Sequence, residues 1–350
     1  EQFVSCPYKH FISYGLRPRQ DDSFNMDPLS FGNIAHKSAD LFITKYAQND
    51  FESLEELEDV INEDLDQAVL ENISQYQLED AKNKFYIGNL KSMLGVSLYA
   101  LNKQYKMMMP DKTFTEALYS KDSYALFPGL EYEVDGKIYD MKGIIDRVDQ
   151  YEVDGRKYFR VIDYKTGNKK FDLLRLYYGL DLQLMVYLYT VTRIQDASPL
   201  GAFYMKLNHK FRSLGQDKNL ETAVMNKHRL DGILIDNPLV LSRSDSSFME
   251  DSRPNSSLVY IDTRLKDYRK QTNIIGENAF ENIFERSNQI TKNSIHEIKS
   301  GDIEAKPYRL NDQSPCGYCS YKTICKFKNN NYRNLKVLSK EELLEILGVN

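Results

Sequence analysis

Gly143-Ile144-Ile145-Asp146-Arg147-Val148-Asp149 and Val161-Ile162-Asp163-Tyr164-Lys165-Thr166-Gly167 are the two stretches on which the reading of this chain turns. Asp146 and Asp163 each follow a pair of β-branched apolar residues, the composition of a buried strand that ends in charge. Asp154-Gly155 lies between the runs and marks a tight hairpin turn, which makes the two strands neighbours. Side chains two apart on a strand point the same way, so Lys165 is aimed at whatever Asp163 holds.

Working outward, Leu130, Tyr132 and Val134 lead to a second Asp-Gly pair, Asp135-Gly136, with Tyr139 and Met141 leading away. Three or four strands are therefore expected as one meander. Residues 1–110 read as helical, with Leu54, Leu57, Ile61, Leu65 and Val69 at three-to-four spacing and a second such stretch from about Lys82 to Met108. Helical spacing returns from Leu173 to about Val191, a strand follows at Leu200–Lys206, and the pattern is helical again from about Arg264 to Lys299. Residues 207–257 are polar and irregular and read as a surface insertion. The parts are an N-terminal helical part (1–110), a central core (111–206), an irregular insertion (207–262) and a C-terminal segment (263–350), giving an α/β or α+β core with helical additions.

The chain has 350 residues, 41% hydrophobic and 28% charged, enough to bury a sizeable core and too apolar for a disordered or fibrous class. Its net charge of −5 requires any nucleic-acid contact to come from local basic patches. No run approaches eighteen apolar residues and no charged-then-apolar leader opens the chain, so a soluble, cytoplasmic protein without membrane contact is expected. It begins Glu1-Gln2-Phe3-Val4-Ser5-Cys6 without an initiator Met, as a piece of a longer polypeptide would.

Two carboxylates and a backbone carbonyl suit a hard cation such as Mg²⁺, and a lysine beside them supplies positive charge near an attacking water. The plain alternative is that Asp146-Arg147 and Asp163-Lys165 are exposed strand-end ion pairs, worth ~0–1 kcal/mol each.

The two strand ends resemble the motifs of the RecB-like branch of the PD-(D/E)XK nuclease superfamily. Gln183-Leu184-Met185-Val186-Tyr187 resembles that branch's Q-x-x-x-Y helix, where four-residue spacing puts Gln183 and Tyr187 on one face. Gly32-Asn33-Ile34-Ala35-His36 resembles its G-x-x-x-H helix. The resemblance implies a restriction-endonuclease-like core sheet with flanking helices. It also implies a Mg²⁺ site made of His36, Asp146, Asp163 and the Tyr164 carbonyl, with Lys165 on the attacking water and Gln183 and Tyr187 placing the helix and the DNA backbone. Glu116 is a weaker candidate for a further carboxylate.

All four cysteines fall in one pattern: Cys6 alone, then Cys316, Cys319 and Cys325 as C-x-x-C-x5-C. Four thiolates suit either Zn²⁺ or an iron–sulfur cluster, and the spacing does not separate them. Joining Cys6 to Cys316 closes a loop of 310 residues, a constraint worth roughly 5 kcal/mol by disulfide arithmetic. Cys6-Pro7-Tyr8-Lys9-His10-Phe11 and Pro315-Cys316-Gly317-Tyr318-Cys319-Ser320-Tyr321 resemble the split four-cysteine [4Fe-4S] frame of the C-terminal nuclease domains of AddB-type (RexB-type) subunits of bacterial helicase–nucleases. That family implies a DNA exonuclease serving double-strand break repair and recombination, acting on single-stranded DNA beside an AddA-type (RexA-type) helicase–nuclease partner. No G-x-x-x-x-G-K-[ST] phosphate loop occurs.

Lys206, Lys210, Arg212, Lys218, Lys227 and Arg229 give the insertion a basic bias, and Tyr177, Tyr178, Tyr187 and Tyr189 lie near the Q-x-x-x-Y helix, as in a groove that grips single strands. Basic surface residues and core tyrosines account for the same pattern. Two rival readings stand: an adaptation-type CRISPR nuclease, which also carries four cysteines, and a non-catalytic DNA-binding scaffold.

Overall fold

Two Asp-Gly turns shape the centre of the chain, with φ of 50° and 69° at Asp135 and Gly136 and 51° and 75° at Asp154 and Gly155, the left-handed pairs a two-residue hairpin needs. The second turn joins β5 (Gly143–Val153) to β6 (Arg156–Lys165) in antiparallel register, Val153 opposite Arg156 and Arg147 opposite Ile162. The structure is a computed structural model that describes residues 1–18, 28–194, 196–207, 220–248, 256–260, 273–328 and 331–348.

Among the described residues six α-helices precede the sheet: α1 (Gln2–Ser5), α2 (Pro7–His10), α3 (Pro28–Tyr46), α4 (Leu54–Asn72), α5 (Gln75–Glu79) and α6 (Ala81–Met108). The predicted stripe on α4 is real: Leu57, Ile61, Leu65, Ala68 and Val69 are buried, and each such large aliphatic side chain contributes about 1.5–3 kcal/mol. Its start is set by Ser53, whose hydroxyl accepts the Glu56 N–H.

Among the described residues the main sheet has seven strands in the order β2-β1-β5-β6-β7-β8-β9, with β1 (Lys112–Ser120), β2 (Phe127–Pro128), β7 (Ala197–Lys206), β8 (Asp231–Ile235) and β9 (Ile274–Ile275) joining β5 and β6. It is mixed: β1–β5, β5–β6 and β7–β8 are antiparallel, while β1–β2, β6–β7 and β8–β9 are parallel. Tyr158 through Tyr164 of β6 are all buried, as expected of a central strand covered on both faces. One core runs from Ile34 and Phe42 of α3 through α4, α6 and the sheet to Phe280 and Ile283 of α11 (Glu277–Lys299).

Three expectations need correction. The hairpin of β3 (Leu130–Val134) and β4 (Lys137–Met141) forms at Asp135-Gly136 but does not continue the meander. It stands as a separate ribbon whose Leu130, Tyr132 and Val134 pack on Val186, Tyr189 and Ile295. The stretch Leu173–Val191 is two helices, α7 (Leu173–Tyr177) and α8 (Gln183–Val191), broken at Gly179, which adopts φ +76° where a Cβ would meet Ile290 at 2.7 Å.

The insertion is also less irregular than expected. Residues 207–257 contain α9 (Leu220–Lys227), β8 and α10 (Pro238–Ser244), and β8 extends the main sheet. A five-residue apolar strand carries too little periodicity to be seen in sequence. Gly232 marks it in hindsight, since a Cβ there would strike the Ala202 carbonyl. Lys210, Arg212 and Lys218 lie outside the described residues, as does Arg264, and α11 begins at Glu277.

The chain ends meet. β10 (Tyr308–Arg309) pairs with β11 (Arg333–Asn334), the Tyr8 N–H donates to the Glu304 carbonyl at 3.3 Å, and the Arg333 guanidinium donates to the carbonyls of Val4 and Lys306. Two short helices, α12 (Lys322–Cys325) and α13 (Lys340–Ile346), complete the fold. Among the described residues no helix is long and apolar enough to cross a membrane.

Candidate active site

The β5–β6 ladder stops at Arg147 opposite Ile162, one residue short of both Asp146 and Asp163. Beyond it the Tyr164 N–H has lost its cross-strand partner and donates instead to Asp146 Oδ2 at 2.6 Å. A side chain thus takes over where the ladder ends, and it draws the two acidic strand ends together. His36, one turn below Gly32 on α3, places Nδ1 3.2 Å from Asp146 Oδ1, and its ring meets Tyr164 edge-on at 6.1 Å.

Lys165 follows the predicted alternation: its ammonium forms an ion pair with Asp163 and donates to Gln183 Oε1 at 3.3 Å. Gln183 Nε2 donates in turn to the Tyr187 hydroxyl at 3.0 Å, along the predicted helical face. Tyr204 of β7 lies beneath, with Lys165 Nζ 5.6 Å and Lys169 Nζ 5.7 Å from its ring centre. All the predicted residues His36, Asp146, Asp163, Tyr164, Lys165, Gln183 and Tyr187 therefore belong to one contact network.

The electrostatics are uneven. Burial, then the charge of Asp146, push the Asp163 carboxyl up to about 6 in spite of Lys165. Its Oδ2 is buried and accepts no well-angled hydrogen bond, the lysine touching it off axis. Burial opposes the charged form of His36, but the hydrogen bond and charge of Asp146 outweigh it and hold the imidazole above its ordinary value. Burial also raises the Tyr187 phenol.

A cleft of about 550 Å³ opens on Asp146, lined among others by Asn33, His36, Lys37, Asp40 and Glu116. Glu116 reaches it at a kink in β1. The register runs unshifted from Thr115 opposite Arg147 to Ala117 opposite Ile145, so Glu116 stands opposite Asp146, at φ +45° and outside the ladder pairing. Burial, with Asp146 and Asp40 beside it, raises its carboxyl above the ordinary range. Asp40 was missed in the sequence, although it stands one helical turn past His36, a spacing that would have found it.

The other predicted site residue types separate clearly. Asp149, in the same motif as Asp146, faces the core and is clasped by Arg147 and Arg160; Arg147 is fully buried and is no strand-end ion pair with Asp146. Tyr177 packs under Arg286 at 4.6 Å and Tyr189 against Phe284 at 5.2 Å, so these rings serve packing.

Among the described residues no group of three or more His, Cys, Asp or Glu side chains is drawn into a finished metal cage. The donor set at Asp146 and Asp163 is nevertheless a hard oxygen set, and Asp163 Oδ2, buried with only the off-axis Lys165 ammonium against it, is an atom a cation would serve. At the joined ends, Cys6, Cys316, Cys319 and Cys325 line a single cavity of about 400 Å³ together with Lys9, Lys322 and Lys326. Burial raises the thiols of Cys6 and Cys325, and the neighbouring cysteines add to the rise. Four sulfurs around one void are the donor chemistry of a thiophilic metal or an iron–sulfur cluster.

The family model of the PD-(D/E)XK nuclease superfamily matches residues 1–326. The chain is similar to an ATP-dependent helicase/deoxyribonuclease subunit of Clostridioides difficile (strain 630), at 27% identity over 366 aligned positions, covering 99% of this chain and 31% of that protein. The corresponding subunit of Lachnoclostridium phytofermentans is 27% identical, and that of Alkaliphilus oremlandii is 25% identical, each with 99% of this chain and 31% of the relative covered. The chain spans about a third of the length of these curated relatives. A solved structure described as "Crystal structure of SSO0001" overlaps 83% of this chain and 93% of its own at 13% identity and a TM-score of 0.28, too loose to bear on the fold.

Proposed function

Since the chain belongs to the PD-(D/E)XK nuclease superfamily, we propose that the cluster at the ends of β5 and β6, beside the cleft that opens on Asp146, hydrolyses DNA phosphodiester bonds with the aid of Mg²⁺. The observation that carries the reading is the buried Asp163 carboxylate, held beside Asp146 with its proton affinity raised even though the Lys165 ammonium pairs with Oδ2, a crowding of negative charge that a further cation offsets. Asp146, Asp163, the Tyr164 carbonyl and His36 would hold the ion. When bound, it supplies positive charge against the developing phosphorane and acidifies water.

Lys165 acts on the attacking water. Gln183 fixes the ammonium from one side and Asp163 from the other, so its position is set before substrate arrives. The Tyr187 hydroxyl locks the Gln183 amide orientation, leaving its oxygen toward Lys165. His36 holds Asp146 in place through Nδ1. In-line attack by water leaves a 3′-hydroxyl and a 5′-phosphate.

The similarity to helicase/deoxyribonuclease relatives over nearly the whole of this chain supports an exonuclease acting on single-stranded DNA in double-strand break repair, in the cytoplasm and with an AddA-type partner. It favours this over a CRISPR adaptation nuclease. The four thiols would hold a [4Fe-4S] cluster, or Zn²⁺ in its place, as a clasp on the chain ends.

Degradation of end-labelled single-stranded DNA in Mg²⁺ tests the reading. Asp163→Ala and Lys165→Ala are each expected to lose on the order of a hundredfold or more in rate while staying folded. Equal cleavage by wild type and both variants would reject the site.

A further inference from the structure

Helix α8 carries both Gln183 and Tyr187, yet its own N-cap residue, Leu182, offers no side-chain acceptor. The acceptor comes from the far end of the chain. Glu1 Oε1 takes the N–H of Leu182 at 2.6 Å and the N–H of Gln183 at 2.8 Å, a carboxylate at the positive end of the helix. The Gln183 side chain then accepts from Lys165 and donates to Tyr187, and Lys165 sits on Asp163. A series of hydrogen bonds, closed by the Lys165–Asp163 ion pair, thus runs from Glu1 to the acidic end of β6.

Glu1 is itself anchored. It opens α1, whose Phe3 is buried, whose Val4 carbonyl is held by Arg333, and which leads directly into Cys6 at the thiol cavity. We propose that Glu1 is a positioning residue for the hydrolysis proposed above: it fixes the first turn of α8 so that Gln183 presents its amide oxygen to Lys165. The inference rests on the reading of the cleft as a nuclease site. A purely structural cap would stabilise the fold and leave the turnover of folded protein unchanged.

Two measurements on the intact protein separate these. Amide hydrogen exchange at Leu182 and Gln183 reads the cap without reference to catalysis. Both amides are expected slow in wild type and in Glu1→Gln, whose amide oxygen accepts the same bonds, and about tenfold faster in Glu1→Ala. Equal rates in all three overturn the proposal at its first step.

Steady-state cleavage of labelled single-stranded DNA in Mg²⁺ then reads the relay. Glu1→Ala is expected to lower kcat about tenfold with KM unchanged, Glu1→Gln to keep most of it, and Glu1→Ala combined with Gln183→Ala to be no slower than Gln183→Ala alone. An unchanged kcat in Glu1→Ala, or additive losses in the double variant, overturns the positioning role even where the cap is confirmed. A wild type that does not cleave, with the exchange pattern as expected, refutes the nuclease reading and the relay with it, and leaves only the cap.

Discussion

Asp146 and Asp149 stand three residues apart on β5, and replacing each by Asn should produce opposite defects. Asp149 is fully buried and accepts from Arg147 Nε at 2.8 Å, Arg147 Nη2 at 2.9 Å, Arg160 Nη2 at 3.3 Å and Thr113 Oγ1 at 3.0 Å. It is the carboxylate between two guanidiniums that are 0% and 3% exposed. Asp149→Asn leaves both cations in a low-dielectric core without a counter-charge, a defect worth about 3–5 kcal/mol. With an unfolding entropy of about 2 cal/mol/K per residue, that lowers the melting temperature of a chain this long by roughly 5 °C if it melts as one unit.

Asp146→Asn removes a charge from a partly exposed site where that charge repels Asp163, so its stability should change by no more than about 1 kcal/mol while cleavage is lost. The assay is calorimetric melting of the three proteins in parallel with DNA degradation in Mg²⁺. Asp149→Asn melting with wild type, or Asp146→Asn as destabilised as Asp149→Asn, would refute the division of labour between the two aspartates.

Three further outcomes are expected. In chelator, the Asp163 contribution to stability should fall as pH rises from about 4 toward 7, because its folded-state pKa, about 6, lies above its unfolded value, and the His36 contribution should fall only above its ordinary value; the Asp163 share is on the order of 3 kcal/mol, and Asp163→Asn should flatten the profile between about pH 4 and 7 in calorimetry. Cys6→Ala should lose iron or zinc by elemental analysis and melt well below wild type, a brown wild type with broad visible absorbance marking the cluster and a colourless one with a single zinc marking the alternative. Gly143→Ala puts a Cβ 2.9 Å from the Tyr119 hydroxyl and should cost about 1–3 kcal/mol in urea denaturation, with Tyr119→Phe recovering part of it.

Local rules were enough for much of this protein. The Asp-Gly turns, the buried face of α4, the shared face of Asp163 and Lys165 and that of Gln183 and Tyr187 all follow from turn chemistry and from side-chain periods of 2 and 3.6, which need only neighbours in the chain. The cysteine pattern announced itself because the chain uses no cysteine elsewhere. Tertiary structure alone decided the rest, since each remaining point is a contact between residues far apart in sequence or a choice of face that such contacts make. Nothing local says that Arg147 turns inward to Asp149, that the pairing of β1 with β5 sets Glu116 opposite Asp146, that β3–β4 leaves the sheet, or that β8 extends it. The capping of α8 by a carboxylate 182 residues away from Gln183 is the extreme case. Such pairings are selected by the burial of whole faces and by the need to satisfy orphaned backbone groups, and those are properties of the assembled fold.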